Sequence, residues 1–182
     1  MSDVELWRRV SGGNDERALG ELYESLADRV FSHARRQSAD TRDAEDATAV
    51  AFFELWRRRS DVRLVDGSPL PWLLATTTNA LRNLRRSSAR YRKLLDALPR
   101  AALEPTIDEK SVESESIRAL LAPLSRVDRQ LISLTVLEGY SSNEAASALG
   151  LSPGATRTRL SRARSRLRDH HSNPRAIGGE SA

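Results

Sequence analysis

The chain has 182 residues, a net charge of +4 and no cysteine, which excludes disulfides, cysteine-ligated zinc and thiol catalysis. That length suits one domain or two small ones. No apolar run reaches membrane-spanning length and the opening MSDVELWRRV has no signal-peptide core, so a soluble cytoplasmic protein without membrane insertion is expected.

Nearly every periodic stretch has helical spacing, and an all-α chain of two small helical domains joined by a flexible linker is expected. A first helix runs from about Asp15 to Arg36, with Leu19, Leu22, Tyr23, Leu26 and Val30 as its apolar stripe; His33, amid polar neighbours, reads as a surface residue. A second, from about Thr41 to Arg58, groups Ala44, Ala47, Ala51, Phe52, Leu55 and Trp56. Asp43, Glu45 and Asp46 occupy its first turn, where the helix dipole favours acids. Asp66-Gly67-Ser68-Pro69 marks a loop before a third helix, from about Pro71 to Leu95, with Leu73, Thr77, Ala80 and Leu84 inward. Asn79, Arg82, Asn83, Arg85 and Arg86 form its outer surface, where asparagines suit base edges and arginines suit phosphates. Trp56 and Trp72 read as core anchors.

Pro99 and Pro105 interrupt the pattern, giving an N-terminal domain over 1–95, a linker over 96–113, a helical domain over 114–170 and a disordered tail over 171–182. Basic residues concentrate between Trp72 and Arg100 and again in the last helix, with an acidic stretch from Glu104 to Glu115 between them, which suggests two separate polyanion contacts. Helical pattern resumes at Glu115–Leu121 and Val127–Glu138, the latter capped by Ser125 with Asp128 and ended by Gly139. At about 55 residues this half is small enough to be marginal alone.

Tyr140 to Arg168 carries the strongest local signal, a helix-turn-helix. Ser141 and Glu144 form a capping box, Gly150 ends the first helix, and Ser152-Pro153 starts the second. Thr156, Leu160, Ala163 and Leu167 face inward, leaving six arginines and no acid on the rest of that helix. A helix laid in a major groove reads bases with its N-terminal residues and phosphates further along. Arg157, Thr158 and Ser161 are therefore the candidates for base edges, with Arg162 and Arg164 holding phosphates.

Two stretches together resemble the extracytoplasmic-function (ECF) sigma factors of bacterial RNA polymerase. DAEDATAVAFFELWRRR (Asp43 to Arg59) with PWLLATTTNALRNLRRS (Pro71 to Ser87) looks like that family's region 2, and Leu121 to Arg168 looks like its region 4. The resemblance implies a transcription-initiation subunit that directs core polymerase to promoters and assists melting. It implies −35 element binding by Ser152, Arg157, Thr158, Ser161, Arg162 and Arg164. It implies −10 element binding by Asn79, Arg82, Asn83, Arg85 and Arg86, with the loop Leu64 to Ser68 holding a flipped base. Docking on the clamp helices of the largest polymerase subunit falls to Asp43, Glu45, Asp46, Phe52, Leu55 and Trp56, and region 4 would meet the flap of the second-largest subunit. A cognate anti-sigma factor is implied as a further partner. Ala49 and Val50 stand where the family usually has a polar pair, Thr156 where it often has an aliphatic residue, and Ala145 where isoleucine is common.

The alternative is a dimeric helix-turn-helix regulator with an N-terminal sensing or interaction domain. No nucleophile–base pair, glycine-rich phosphate loop or histidine–carboxylate constellation is visible, so no enzyme, cofactor, metal site or small-molecule substrate is expected.

Overall fold

The computed structural model describes residues 2–13, 15–95 and 110–172, with side-chain detail for all of these but 88–95, 110–112 and 170–172. Among them the chain is helical, and the only β pairing is the single bridge Val65–Ser68. The expected linker 96–113 and tail 171–182 lie mostly outside the described residues; helix begins at Lys110 and persists to Ser172 at the two edges.

The first element, α1 (Asp3–Gly13), has no counterpart in the sequence reading. Its signal is nevertheless present: Ser2 and Glu5 exchange capping bonds, Ser2 N–H to Glu5 Oε2 at 2.9 Å and Glu5 N–H to Ser2 Oγ at 3.4 Å. Leu6, Trp7 and Val10 then share one buried face. Helix α2 (Glu16–Gln37) starts at Asp15, which accepts from the Ala18 N–H and receives the Arg9 guanidinium at 2.8 Å, tying α1 to α2. Helix α3 (Thr41–Arg57) is capped by Asp40, and α4 (Leu70–Leu95) carries Pro71 in its first turn, where a missing N–H costs nothing.

These helices pack around two clusters. The larger joins Leu6, Trp7, Val10, Leu22, Leu26, Val30, Phe52, Leu55, Leu73 and Leu74, and continues through Leu121, Leu124, Leu131, Ile132, Leu134 and Leu160 without a break. The smaller, Ala34, Ala44, Ala47, Ala80 and Leu81, lies where α2, α3 and α4 cross. Each fully buried leucine contributes about 1.5–3 kcal/mol by leaving water, so the marginal C-terminal half gains much of its stability from the N-terminal one. Tyr23, placed in the α2 stripe by its spacing, is instead exposed and meets Phe52 edge-on at 4.7 Å between ring centroids.

The C-terminal half comprises α5 (Lys110–Leu121), α6 (Arg126–Ile132), a π turn (Ser133–Leu137), α7 (Ser142–Leu149) and α8 (Pro153–Ser172). Ser125 caps α6 through the Asp128 N–H, and Arg129 donates to the Leu121 and Leu124 carbonyls, placing a cation where α5 ends. The helix expected to run evenly to Glu138 widens at Ser133, where the Glu138 N–H returns to the Ser133 carbonyl at 3.2 Å. The capping box of α7 forms as expected, Gly150 takes φ +66°, and the Leu151 N–H closes on the Ala146 carbonyl at 2.9 Å.

Thr156, Leu160 and Ala163 are buried beneath α8, but the Thr156 hydroxyl has no hydrogen-bond partner. Thr156→Val, nearly isosteric and equal in helix propensity, is expected to stabilise the chain by about 1 kcal/mol, measured as a shift in urea midpoint.

Candidate nucleic-acid interface

Helix α8 divides its arginines between two jobs. Arg159 reaches the buried Asp128 of α6 at 3.1 Å, and Arg166 lies 3.8 Å from the same carboxylate. Arg157, Arg162, Arg164 and Arg168 remain exposed with Ser161 and Thr158. Arg157, Ser161, Arg164 and Arg168 line one wall of a groove of about 560 Å³, opposite Thr135, Tyr140, Ser141 and Ser142. Ser152 accepts the Ala155 N–H at 3.2 Å and so caps the helix, while Thr158 turns its hydroxyl back onto the Gly154 carbonyl at 3.1 Å. The result is an exposed cationic face on a capped helix, which suits an anionic, grooved partner.

The α4 surface is arranged differently from the sequence expectation. Asn79, Arg82 and Asn83 line a second groove of about 590 Å³ whose opposite wall is Arg126, Val127, Gln130, Leu149 and Leu151 of the C-terminal half. Asn79 is half-buried there and its Oδ1 has no partner. Arg85 is half-buried and not part of the open outer surface. Its guanidinium turns inward to the Gln37 carbonyl, and burial, with the nearby charge of Arg118, pushes its pKa down to about 10 against the opposing pull of Asp43. Arg86 and Asn83 stay exposed. The loop before α4 is tight, with Asp66 and Gly67 at φ +50° and +78°; a Cβ on Gly67 would fall 2.9 Å from the Val4 side chain, so α1 props the loop from behind.

On α3 the helical phase corrects the candidate docking set. Phe52 and Leu55 are core, Leu55 with no exposure at all, and Trp56 is half-buried beneath the Arg59 guanidinium at 4.6 Å. The outward ridge is Glu45, Asp46, Ala49, Val50 and Phe53, with Phe53 63 % exposed and Val50 40 %. Asp43 is half-buried at the head of the helix. Phe53 was missed because it adjoins Phe52. Continuing the Ala44, Ala47, Ala51, Leu55 stripe at 100° per residue leaves only Phe52 inside.

His33 is a second correction. It lies on the Val30 stripe one turn further and is completely buried, not a surface residue. Its Nδ1 donates to Glu138 Oε1 at 2.5 Å, and its Nε2 sits among Gln37 Nε2 (2.7 Å), Thr78 Oγ1 (3.0 Å) and Ser133 Oγ (3.2 Å). Arg36 adds a bond to the same carboxylate and another to the Leu137 carbonyl at 3.0 Å. Burial works against ionisation of Glu138, but the His33 hydrogen bond and the charges of His33, Arg36 and Arg29 outweigh it and hold the carboxyl below its ordinary 4.5. A depressed carboxyl stabilises the fold above the unfolded pKa and loses that contribution as pH falls through the folded value. The stability gap between the native chain and Glu138→Gln is therefore expected to shrink as the pH drops below about 4.5, measured by urea titration. No group of three or more metal-type ligands occurs among the described residues, and no helix there is long and apolar enough to cross a membrane.

Two family models match the chain, Sigma-70 region 2 over residues 22–91 and Sigma-70 region 4 over residues 114–167. Among curated relatives, RNA polymerase sigma factor NccH of Alcaligenes xylosoxydans is 31% identical, covering 91% of this chain and 92% of that protein. ECF RNA polymerase sigma factor SigE of Mycolicibacterium smegmatis is 32% identical over 82% of this chain. The chain spans 60% of that SigE and 40% of the sigma factor RfaY of Xanthomonas campestris, which is also 32% identical. Among solved structures, CnrH in complex with the cytosolic domain of CnrY superposes with a TM-score of 0.59 at 27% identity, covering 93% of this chain and 97% of that one. The sigma factor RpoE of Bartonella quintana, solved with the anti-sigma factor NepR, shares the fold with a TM-score of 0.51, over 84% of this chain and 96% of that one. The chain belongs to the sigma-70 family of RNA polymerase sigma factors, in its ECF group. A region 2 match over the N-terminal half disfavours the alternative of a dimeric regulator with a sensing domain.

Proposed function

We propose that this chain is a promoter-specificity subunit that directs RNA polymerase core to its start sites and helps to open them. The observation that carries the reading is the pairing, in one chain, of a capped helix-turn-helix exposing Arg157, Arg162, Arg164 and Arg168 with an exposed hydrophobic-acidic ridge, Glu45, Asp46, Val50 and Phe53, on α3. In this reading α8 grips the −35 element, Arg157, Thr158 and Ser161 at base edges and Arg162 and Arg164 on phosphates. Asn79, Arg82 and Asn83 hold the −10 strand beside the 64–68 loop, with Arg86 on its phosphates, and the half-buried Arg85 fixes α4 in place of touching DNA. The α3 ridge docks on the polymerase clamp helices and the C-terminal half meets the flap.

A cytoplasmic location and the absence of any catalytic activity of its own follow from this role, with bond formation left to the polymerase. The solved relatives bound to CnrY and to NepR support an anti-sigma factor as a further partner. Purified core polymerase with a genomic fragment library is the direct test. Start sites that appear only when the chain is added are expected, and none appearing on any fragment would overturn the proposal.

A further inference from the structure

The groove that contains Asn79 has the chain's own C-terminal half as its opposite wall, and one polar device fastens that wall in place. In an α-helix, residues five apart lie about 140° from each other around the axis, so Ser133 and Glu138 would face different ways. The π turn at Ser133–Leu137 instead bonds residue to residue five apart and stacks the two side chains on one face. Both then insert into the same polar cluster: Ser133 onto Gln37, Thr78 and His33, and Glu138 onto His33 and Arg36. All of Ser133, Gln37, Thr78 and His33 are buried, in an interface otherwise closed by leucines. The Gln130 amide donates to the Ala75 carbonyl at 3.2 Å, and Ser114 donates to the Arg35 carbonyl at 2.7 Å, on either side of the cluster.

We propose that the π turn and its Ser133–Glu138 pair form a clasp that holds the two halves together and masks the Asn79 face of α4, while leaving α8 open. The inference rests on the reading of α4 and α8 as DNA-facing helices, but the clasp itself is a statement about two halves of one chain. A buried polar cluster suits this task better than more leucine would. Its groups are satisfied when closed and are readily hydrated when parted, whereas a purely apolar seam would resist opening. The alanine-rich α7 and the leucines beside Gln130 complete the wall facing Asn79, whose Oδ1 has no hydrogen-bond partner there.

The experiment uses the full chain, into which Ser32→Cys and Ser147→Cys place a dye on exposed positions of α2 and α7 in a protein with no other cysteine. Glu138→Lys sets a cation against Arg36 and His33, and Arg36→Glu sets an acid against Glu138; each leaves a buried charge uncompensated. Both variants are expected to raise the separated population at least about tenfold by energy transfer, and the charge-reversed double variant to restore the native distance. In parallel, both single variants should bind a random single-stranded DNA pool of about 15 nucleotides at least about tenfold more tightly than the native chain, with binding to a random duplex pool altered less than about twofold. Unchanged transfer in variants that retain native helix content overturns the clasp. Separation without a gain in single-strand binding overturns the masking. Failure of the promoter reading would show up elsewhere, as absent core-dependent initiation by the native chain.

Discussion

Leu55→Ala is expected to cost about 2–5 kcal/mol of folding stability, because the side chain is fully buried between α2, α3 and α4 and its removal leaves a cavity. Phe53→Ala, two positions away, is expected to change the unfolding midpoint by no more than about 0.5 kcal/mol, since most of its ring already meets solvent. Its effect falls on partner binding. An exposed aromatic at the end of an otherwise small and acidic ridge, next to the exposed Val50, has the profile of an anchor, and its loss should weaken association with core polymerase by about 2 kcal/mol or more. Urea titration and competition for fluorescently labelled core separate the two effects. A stable Leu55→Ala chain that no longer binds core would mean that the helix presents its other face.

Arg157→Ala is expected to relax discrimination at one position of the −35 element by about 1–3 kcal/mol, the scale of a single bidentate base contact. Arg162→Ala should weaken binding evenly across sequences and reduce the salt slope by about one unit. The difference follows from position on α8. Arg157 stands at the start of the second turn, against the groove formed with Tyr140 and Ser141, whereas Arg162 is exposed further along. Competition binding on a set of −35 duplexes at several salt concentrations reads both quantities. Identical behaviour of the two variants would remove the assignment of base and phosphate roles.

The local features of the chain were legible because local chemistry decides them. The Ser141–Glu144 box, the stop at Gly150 and the inward Thr156, Leu160 and Ala163 follow from contacts within one or two turns. What escaped the reading depends on distant segments. His33 is separated by 105 residues from Glu138, so nothing near it in sequence announces that its helix face is covered. Arg85 folds back to the Gln37 carbonyl for the same reason, and an arginine in a basic run gives no sign that it will turn inward. The π turn arises at Ser133–Leu137, in a stretch whose leucine spacing fits an ordinary helix. On α3 the information was present but under-read, since two adjacent phenylalanines cannot share one face of a helix. The short α1 was also readable, from a serine three residues before a glutamate.

The small alanine cluster has a mechanical consequence. Where α2, α3 and α4 cross, Ala34, Ala44, Ala47 and Ala80 present methyl groups around the buried Leu81, so few side chains at the crossing have rotamers to change. A joint of that kind has little play. Load applied to the Phe53 ridge must therefore pass to the far side of α4 as rigid-body displacement, so the three helices act as a single lever between whatever grips α3 and whatever Asn79 holds.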